Sequence, residues 1–268
     1  MLSAPLGQGA VEVREGRARR RATLTLALTA ALSFAGFGAT AVASAKGRGQ
    51  STSRASASQY NVLTRFAVAQ VAMPVYRQPS THAPVLRKLA YYTPDSEALQ
   101  TYRFLTSRRI GRTLWEKIAV PMRPNGQTGW VKRSWLGAVQ TSNTLIVVSE
   151  SREQLFVYRR GREIFSAPVG VGNTSGSYGT TTSTPTGHFW IAEAFASTDP
   201  FYGPWAFGTT DYASDTEFPD GSIVGIHGTN EPWLIPGDPS HGCVRLKNPD
   251  ILKLKSLVGI GTAVWIEP

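Results

Sequence analysis

Cysteine is nearly absent from this chain: 268 residues hold a single one, Cys243. One thiol cannot close an intramolecular disulfide, and paired-Cys zinc or redox motifs go with it. Histidine is scarce as well, at four residues. There is no His-Glu-x-x-His pair, no Gly-x-Ser-x-Gly elbow and no dinucleotide-binding glycine fingerprint in strand–helix context; "GVGNTSG" is only a glycine-containing loop. Acidic side chains are outnumbered, 18 against 28 Lys and Arg, for a formal charge of +10. No internal repeats occur. What the chain does have is 41% hydrophobic residues, 26 glycines and 17 prolines. That supplies real cores and favours short strands and many turns over long helices.

Near the start, residues 22–45 are an uncharged run, preceded by "RARRR" at 17–21 and ending in "AVASA" before Lys46. A basic start, an apolar middle and a small-x-small ending are the layout of a secretory signal peptide, with cleavage after Ala45. The same 24 residues are long enough to serve as an uncleaved anchor, although Ala, Thr, Ser and Gly insert less strongly than Leu and Ile. Residues 1–45 are read as signal peptide or N-terminal membrane anchor, and either way the rest works outside the cytoplasm, in the cell wall or extracytoplasmic space. Without that segment the chain is +7, with 23 basic and 16 acidic residues. Such a charge suits an anionic cell envelope or simply a basic soluble domain; nucleic acid is not expected in that compartment.

Residues 46–60 are polar and basic and read as a flexible linker. From 61 to 140 short alternating runs are broken by turn signals: "AVAQVAMPVY", "TLWEKIAV", and "RPNGQTGWV" with Asn125-Gly126 as a tight-hairpin signal. Trp115 in one strand, with Trp130 and Trp135 after the turn, suggests the core of a small barrel. The pieces "VYRQPSTHAPVL", "LWEKIAV" and "GWVKRSWL" resemble a bacterial SH3-like domain, which in exported proteins implies wall targeting or spacing. His82, in "STHAP", reads as an exposed loop residue.

A second pattern fills 141–268. "TLIVVS" and "EQLFVYRR" read as paired strands, with Gly161 turning into "EIFSAPVGVG"; "TGHFWIAEAF", "SIVGIHG" and "TAVWIEP" are further strands. "NPDILKLKSLVG" is the one convincing helix: Asn248 can cap it, Pro249 and Asp250 suit its first turn, Ile251, Leu254 and Val258 share a face, and Gly259 stops it. The fold class is all-β with a minor helix.

Cys243 lies in "SHGCVRL", two positions after His241 and 16 after His227. A cysteine attacks as its thiolate, and a neighbouring imidazole can draw the proton away. His241 at i−2 would share a strand face with Cys243 if the stretch is extended, while His227 could reach across from the end of another strand. Backbone N–H groups around Gly242 and Cys243 could hold an oxyanion, which describes acyl transfer through a thioester. A catalytic zinc on His227, His241 and Cys243 is the chemical competitor.

"IHGTNEPWLIPGDPSHGCVRL" is similar to the signature of the L,D-transpeptidase (YkuD-type) catalytic domain: a histidine, a gap, then Ser/Thr-His-Gly-Cys and an Arg soon after. "SREQLFVYRRGREIFSAPVGVG" and "STPTGHFWI" match the flanks, so the resemblance covers roughly 142–267. It implies a β-sandwich-like catalytic domain following the SH3-like barrel. Cys243 would be the nucleophile, His227 the base oriented by the Gly228 carbonyl, and His241 an organiser of the oxyanion region made by the amides of Gly242 and Cys243. Ser240 and Arg245 would lie on the substrate side, Arg245 binding a substrate carboxylate or serving as a salt-bridge partner. The substrates implied are peptidoglycan stem peptides as donor and acceptor, with no metal and no cofactor. The thiolate would attack the third-residue carbonyl of a tetrapeptide, release D-Ala and pass the acyl group to a neighbouring stem amine as a 3→3 cross-link. Water as acceptor makes an L,D-carboxypeptidase, and a catalytically silent wall-binding protein is the remaining alternative. Residues 194–221 read either as a flap with Tyr202, Trp205, Phe207 and Tyr212 along the substrate path or as a self-packed surface loop. His188 alternates on a strand and reads as a packing residue.

Overall fold

The computed structural model describes residues 58–93, 98–173, 182–213 and 223–268. The signal or anchor segment and most of the expected linker lie outside the described residues, and among the described residues no helix is long and apolar enough to cross a membrane. Among the described residues seventeen strands form two sheets, within one compact unit.

The first sheet holds β1 (Thr64–Val68), β2 (Met73–Tyr76), β3 (Val85–Leu89), β4 (Thr101–Ile110), β5 (Thr113–Ala119), β6 (Thr128–Lys132) and β7 (Gln140–Ser142). Their spatial order is β3-β2-β6-β5-β4-β1-β7. Its core gathers Met73, Val75, Leu89, Tyr102, Ile118, Val131 and Leu136. The tryptophans divide differently from the expectation. Trp115 pairs with Lys132 and Lys117 with Trp130, so both tryptophans occupy the face of β5–β6 opposite Ile118 and Val131. There Tyr76 meets Trp115 edge-on at 5.8 Å, while Trp135 packs against the core itself. Period-two alternation puts them there: Trp115 and Ile118 are an odd number of residues apart. The β5–β6 connection also departs from a two-residue hairpin. It spans 120–127 and closes with the Val120 N–H donating to the Gln127 carbonyl at 2.9 Å, which leaves Asn125 projecting from a longer loop.

The second sheet holds β8 (Thr144–Ser149), β9 (Gln154–Arg159), β10 (Arg162–Pro168), β11 (Gly170–Gly172), β12 (Gly187–Phe195), β13 (Ala206–Tyr212), β14 (Ile223–His227), β15 (Gly237–Ser240), β16 (Val244–Arg245) and β17 (Ala263–Glu267). Its order is β10-β9-β8-β17-β12-β13-β14-β16-β11-β15. Strand β12 joins two halves: Gly187–Trp190 pair with β17 and Ile191–Phe195 with β13. The sheet therefore folds as a half-barrel around one core. Ile146, Val148, Leu155, Val157, Val264 and Ile266 come from one half, and Phe207, Ile226 and Val244 from the other. Each such side chain stabilises the fold by roughly 1.5–3 kcal/mol through burial. Every residue of β8 is buried, because the sheet's outer face is covered too: Tyr60 stacks on Tyr158 at 4.3 Å, and Val62 joins them over Leu145 and Val147.

The helix α1 (Asn248–Lys255) closes the core with Ile251 and Leu254. Lys247, in extended conformation, stands at its N-cap position, and Asn248 is its first residue. Its C-cap is Ser256, so it ends before Gly259. The N–H groups of Leu257 and Val258 both fold back onto the Leu254 carbonyl, a tightened last turn that satisfies an otherwise orphaned acceptor. The segment 194–221, expected as one long connection, is interrupted by sheet: β12 runs to Phe195, a short 3-10 turn covers Pro200–Tyr202, β13 spans Ala206–Tyr212, and 214–221 lie outside the described residues. Phe207 is buried in the core and lines no exposed path. The two sheets meet where the Trp190 Nε1–H donates to Thr101 Oγ1 at 3.1 Å and where Asn125 reaches β13.

Candidate active site

Strands β14 and β16 are parallel neighbours, with Ile226 opposite Val244 and His227 opposite Arg245. This register sets Cys243, the residue before β16, beside Gly225, two residues before His227. The Gly225 N–H donates to Cys243 Sγ at 3.4 Å. A Cβ on Gly225 would stand 3.5 Å from His227 Cδ2 and 3.7 Å from Cys243 Sγ. The missing side chain is what lets the imidazole edge and the sulfur face one open space.

His227 is 1% exposed. Its Nδ1 lies 2.6 Å from the Gly228 carbonyl oxygen. A carbonyl only accepts, so Nδ1 carries the proton and Nε2 the lone pair. Nε2 is buried with no hydrogen-bond partner. Above the ring, Tyr202 makes an edge contact at 4.9 Å and Phe201 a tilted one at 5.8 Å. Burial lowers the His227 pKa to about 4, opposed by the Gly228 bond and reinforced by Arg245. Burial also pushes the Cys243 thiol up, opposed by the Gly225 N–H and Arg245 and reinforced by Asp211. Both directions favour a neutral thiol facing a neutral imidazole at rest rather than an ion pair.

The turn after His227 is held from the helix. Asn248 Oδ1 accepts the Thr229 N–H at 2.9 Å, and Thr229 is 1% exposed. The chain closes so tightly over this oxygen that a Cβ on Gly203 or on Gly228 would collide with it. Asn248 thus ties the loop bearing the Gly228 carbonyl rather than capping α1.

The other expected site residues are distributed as follows. His241 is exposed. Gly242 has φ +116, which breaks the extended run between Ser240 and Val244, so the i−2 alternation that would align His241 with the thiol does not apply. The Gly242 N–H donates to Ser240 Oγ at 3.1 Å, and the Ser240 hydroxyl donates to the Cys243 carbonyl at 2.6 Å. Ser240, expected on the substrate side, is 1% exposed and stitches the loop from within. Arg245 is buried, 3.4 Å from Glu231 Oε2, with its guanidinium 4.7 Å over the Phe201 ring. That is the salt-bridge placement, and it braces the turn that roofs His227. Tyr202 is exposed beside His227. Trp205 packs against the core under Lys255, whose Nζ lies 3.7 Å from the ring centroid. Tyr212 ends β13, and its hydroxyl donates to the Pro121 carbonyl at 3.4 Å. His188 stacks on Trp265 at 4.6 Å. Among the described residues no three His, Cys, Asp or Glu side chains converge as a metal site, so the zinc alternative finds no ligand set there.

Sequence reasoning missed Gly225, Phe201, Glu231 and the loop-tying role of Asn248. Gly225 alone carried a signal, an isolated glycine inside a strand pattern marking a close approach; the others become visible only once β14, β16 and α1 are packed.

Residues 143–266 match the family model of the L,D-transpeptidase catalytic domain, YkuD. Over 124 residues the chain is 34% identical to the Bacillus licheniformis protein named "Putative L,D-transpeptidase YkuD", covering 46% of this chain and 65% of that one. The protein of the same name from Bacillus subtilis is 32% identical over 122 residues, 45% of this chain and 64% of that one. The chain thus spans just under two thirds of the length of these curated relatives. Among solved structures it is similar to L,D-transpeptidase 3 from Mycobacterium tuberculosis, with 16% identity, a TM-score of 0.37 and coverage of 58% of this chain and 92% of that one. It is also similar to the catalytic domain of the Enterococcus faecium L,D-transpeptidase, with 20% identity, a TM-score of 0.34 and coverage of 47% and 97%.

Proposed function

We propose that the chain, whose residues 143–266 match the L,D-transpeptidase catalytic domain, is an exported peptidoglycan L,D-transpeptidase acting through a cysteine thioester. The observation that carries the reading is a buried, single-tautomer His227 whose Nε2 has no hydrogen-bond partner and whose adjacent Cδ2 shares the space over Gly225 with the sulfur of the only cysteine. A tetrapeptide stem enters with its third-residue carbonyl over Cys243. The thiol proton passes to His227 Nε2 as sulfur attacks the carbonyl carbon, and the oxygen takes up the charge beside the Cys243 backbone amide, the Gly242 N–H being held by Ser240 Oγ. On collapse the bond to the terminal D-Ala breaks, and the imidazolium returns its proton to the leaving amine. A side-chain amine of a second stem then attacks the thioester, gives its proton to His227 and releases the thiol, leaving a 3→3 cross-link.

Histidine must switch between base and acid here, and the Gly228 carbonyl supports both states by accepting from Nδ1–H throughout. Because thiol and imidazole are neutral at rest, proton transfer is coupled to substrate attack rather than completed beforehand. Tyr202 and Phe201 form the rim against which the stem peptide lies, and His241, exposed on the same loop as Cys243, orders the oxyanion region. Residues 1–45 direct export, and 61–140 act as an SH3-like wall-binding or spacer module on a basic chain suited to an anionic envelope.

The test is incubation of the purified protein with a disaccharide-tetrapeptide and mass analysis of the products. A dimer with loss of one D-Ala supports transpeptidation, whereas loss of D-Ala without a dimer makes the chain a carboxypeptidase. No conversion, together with no carbapenem adduct on Cys243, would sink the enzymatic reading.

A further inference from the structure

The loop between β5 and β6 belongs to the first sheet, yet its Asn125 side chain is engaged entirely by the second. Asn125 Nδ2–H donates to Asp211 Oδ1 at 2.6 Å and to the Tyr212 carbonyl at 2.9 Å, while Asn125 Oδ1 accepts the Tyr212 N–H at 3.1 Å. Both amide hydrogens and the amide oxygen are therefore committed to two consecutive residues at the end of β13. The Tyr212 hydroxyl adds a second tether to the same loop through the Pro121 carbonyl. The residue after this pair, Ala213, is buried against the nucleophile loop: a Cβ on Gly242 would stand 3.5 Å from the Ala213 Cβ. Asp211 itself is 0% exposed, and its Oδ2 has no hydrogen-bond partner. When ionised, a carboxylate in that position opposes the Cys243 thiolate.

We propose that Asn125 is a positioning residue for Cys243, acting through Asp211 and Ala213, so that the first sheet is a working part of the catalytic site rather than a separate attachment. The inference rests on Cys243 being the nucleophile. Asn125 anchors the end of β13 against the Gly242–Cys243 turn, fixing both the shape of that turn and the distance of the Asp211 carboxyl from the sulfur. The groups facing Asp211 are Asn125, the Tyr212 backbone, Glu150 and Cys243; those facing Cys243 are the Gly225 N–H, Arg245, Asp211 and, across Gly225, His227. Burial, first among the causes, raises the Asp211 pKa to about 8. Near neutrality the carboxyl is thus protonated and leaves the thiol free to ionise when substrate arrives. At higher pH a carboxylate forms and opposes the thiolate.

Two variants test this. Asp211→Asn keeps an acceptor for Asn125 but bears no charge at any pH. Its Cys243 should reach half-maximal iodoacetamide alkylation at a pH about one unit below that of the parent; superimposable profiles overturn the electrostatic link. Asn125→Ala frees the end of β13. The expectation is a kcat for the disaccharide-tetrapeptide about tenfold lower with KM nearly unchanged, since misplacing a reacting group affects the chemical step more than binding; a parental kcat overturns the positioning role. Circular dichroism shows that each variant is folded, and if Asn125→Ala is not, the Asp211→Asn profile decides alone. A parent whose thiol neither alkylates nor turns over substrate defeats the nucleophile reading and this inference with it. A reactive parent with unaffected variants defeats only this inference.

Discussion

Replacing Asn248 by Ala removes the acceptor that holds the Thr229 N–H, and the structure gives the size of the loss. The bond is 2.9 Å long and Thr229 is 1% exposed. An orphaned buried N–H costs about 1–3 kcal/mol. In a folded unit of this size each kcal/mol lowers the melting temperature by about 2–4 °C, so a drop of roughly 4–8 °C is expected for a loss near the middle of that range. Function should suffer more than stability, because Gly228 packs directly on Asn248 Oδ1 and its carbonyl fixes the His227 tautomer. Asn248→Asp is the control: it retains an oxygen acceptor and adds negative charge at the first turn of α1, where the helix dipole favours it. Melting curves and the alkylation rate of Cys243 would be measured side by side for the two variants. The reasoning is refuted if Asn248→Ala melts and reacts like the parent, or if Asn248→Asp is impaired as severely as Asn248→Ala.

Further expectations follow from the same geometry. Gly225→Ala adds a methyl at ordinary contact distance, 3.5 Å from His227 Cδ2 and 3.7 Å from Cys243 Sγ; it should fold with near-parental melting yet lose at least about tenfold in kcat by separating thiol from imidazole, and full turnover would show that the space is not the proton path. Gly228→Ala collides with Asn248 Oδ1 and should lower both stability and Cys243 reactivity; a melting curve unchanged from the parent would contradict the packing described. His227 also predicts an acid limb of stability. Its pKa falls from 6.5 to about 4 on folding, so its contribution is complete above pH 6.5 and is lost as pH falls toward 4. A change of that size corresponds to about 3 kcal/mol. Denaturant titrations from pH 7 to 4 should show a shallower decline for His227→Gln than for the parent, and parallel declines would refute it.

Much of the second sheet was legible because its signals are local. In β8 a continuous apolar run, in β9 and β10 a turn at Gly161, and in α1 the pair Ile251 and Leu254 each report their own neighbourhood. The identity of the thiol was legible because it is unique. The choice between His241 and His227 was not, since it depends on a backbone torsion at Gly242 and on the parallel register of β14 with β16. Proximity in sequence favoured His241, and only the resemblance to a known catalytic domain pointed to His227. The same limit explains Asn125 and Asn248. Each reads locally as the residue its neighbours suggest, a hairpin turn or a helix cap, because Asn is favoured at both. Each instead reaches across to another element, Asn125 to Asp211 and Asn248 to Thr229.

Those two asparagines show how the site is supported. His227 ends β14 and Cys243 precedes the neighbouring β16, but the turns that orient them lie outside the sheet, and turns hold a site's geometry poorly unless something rigid grips them. The grip on the His227 side comes from the first residue of α1, and on the Cys243 side from Ser240 within the loop and from the end of β13 beside it. Since β13 is in turn held by Asn125 of the first sheet, a perturbation of the β5–β6 loop reaches the thiol through four residues without altering either member of the thiol–imidazole pair. Activity should therefore respond to changes in the first sheet that leave the second sheet's melting untouched. A first sheet serving only as a spacer would show no such response.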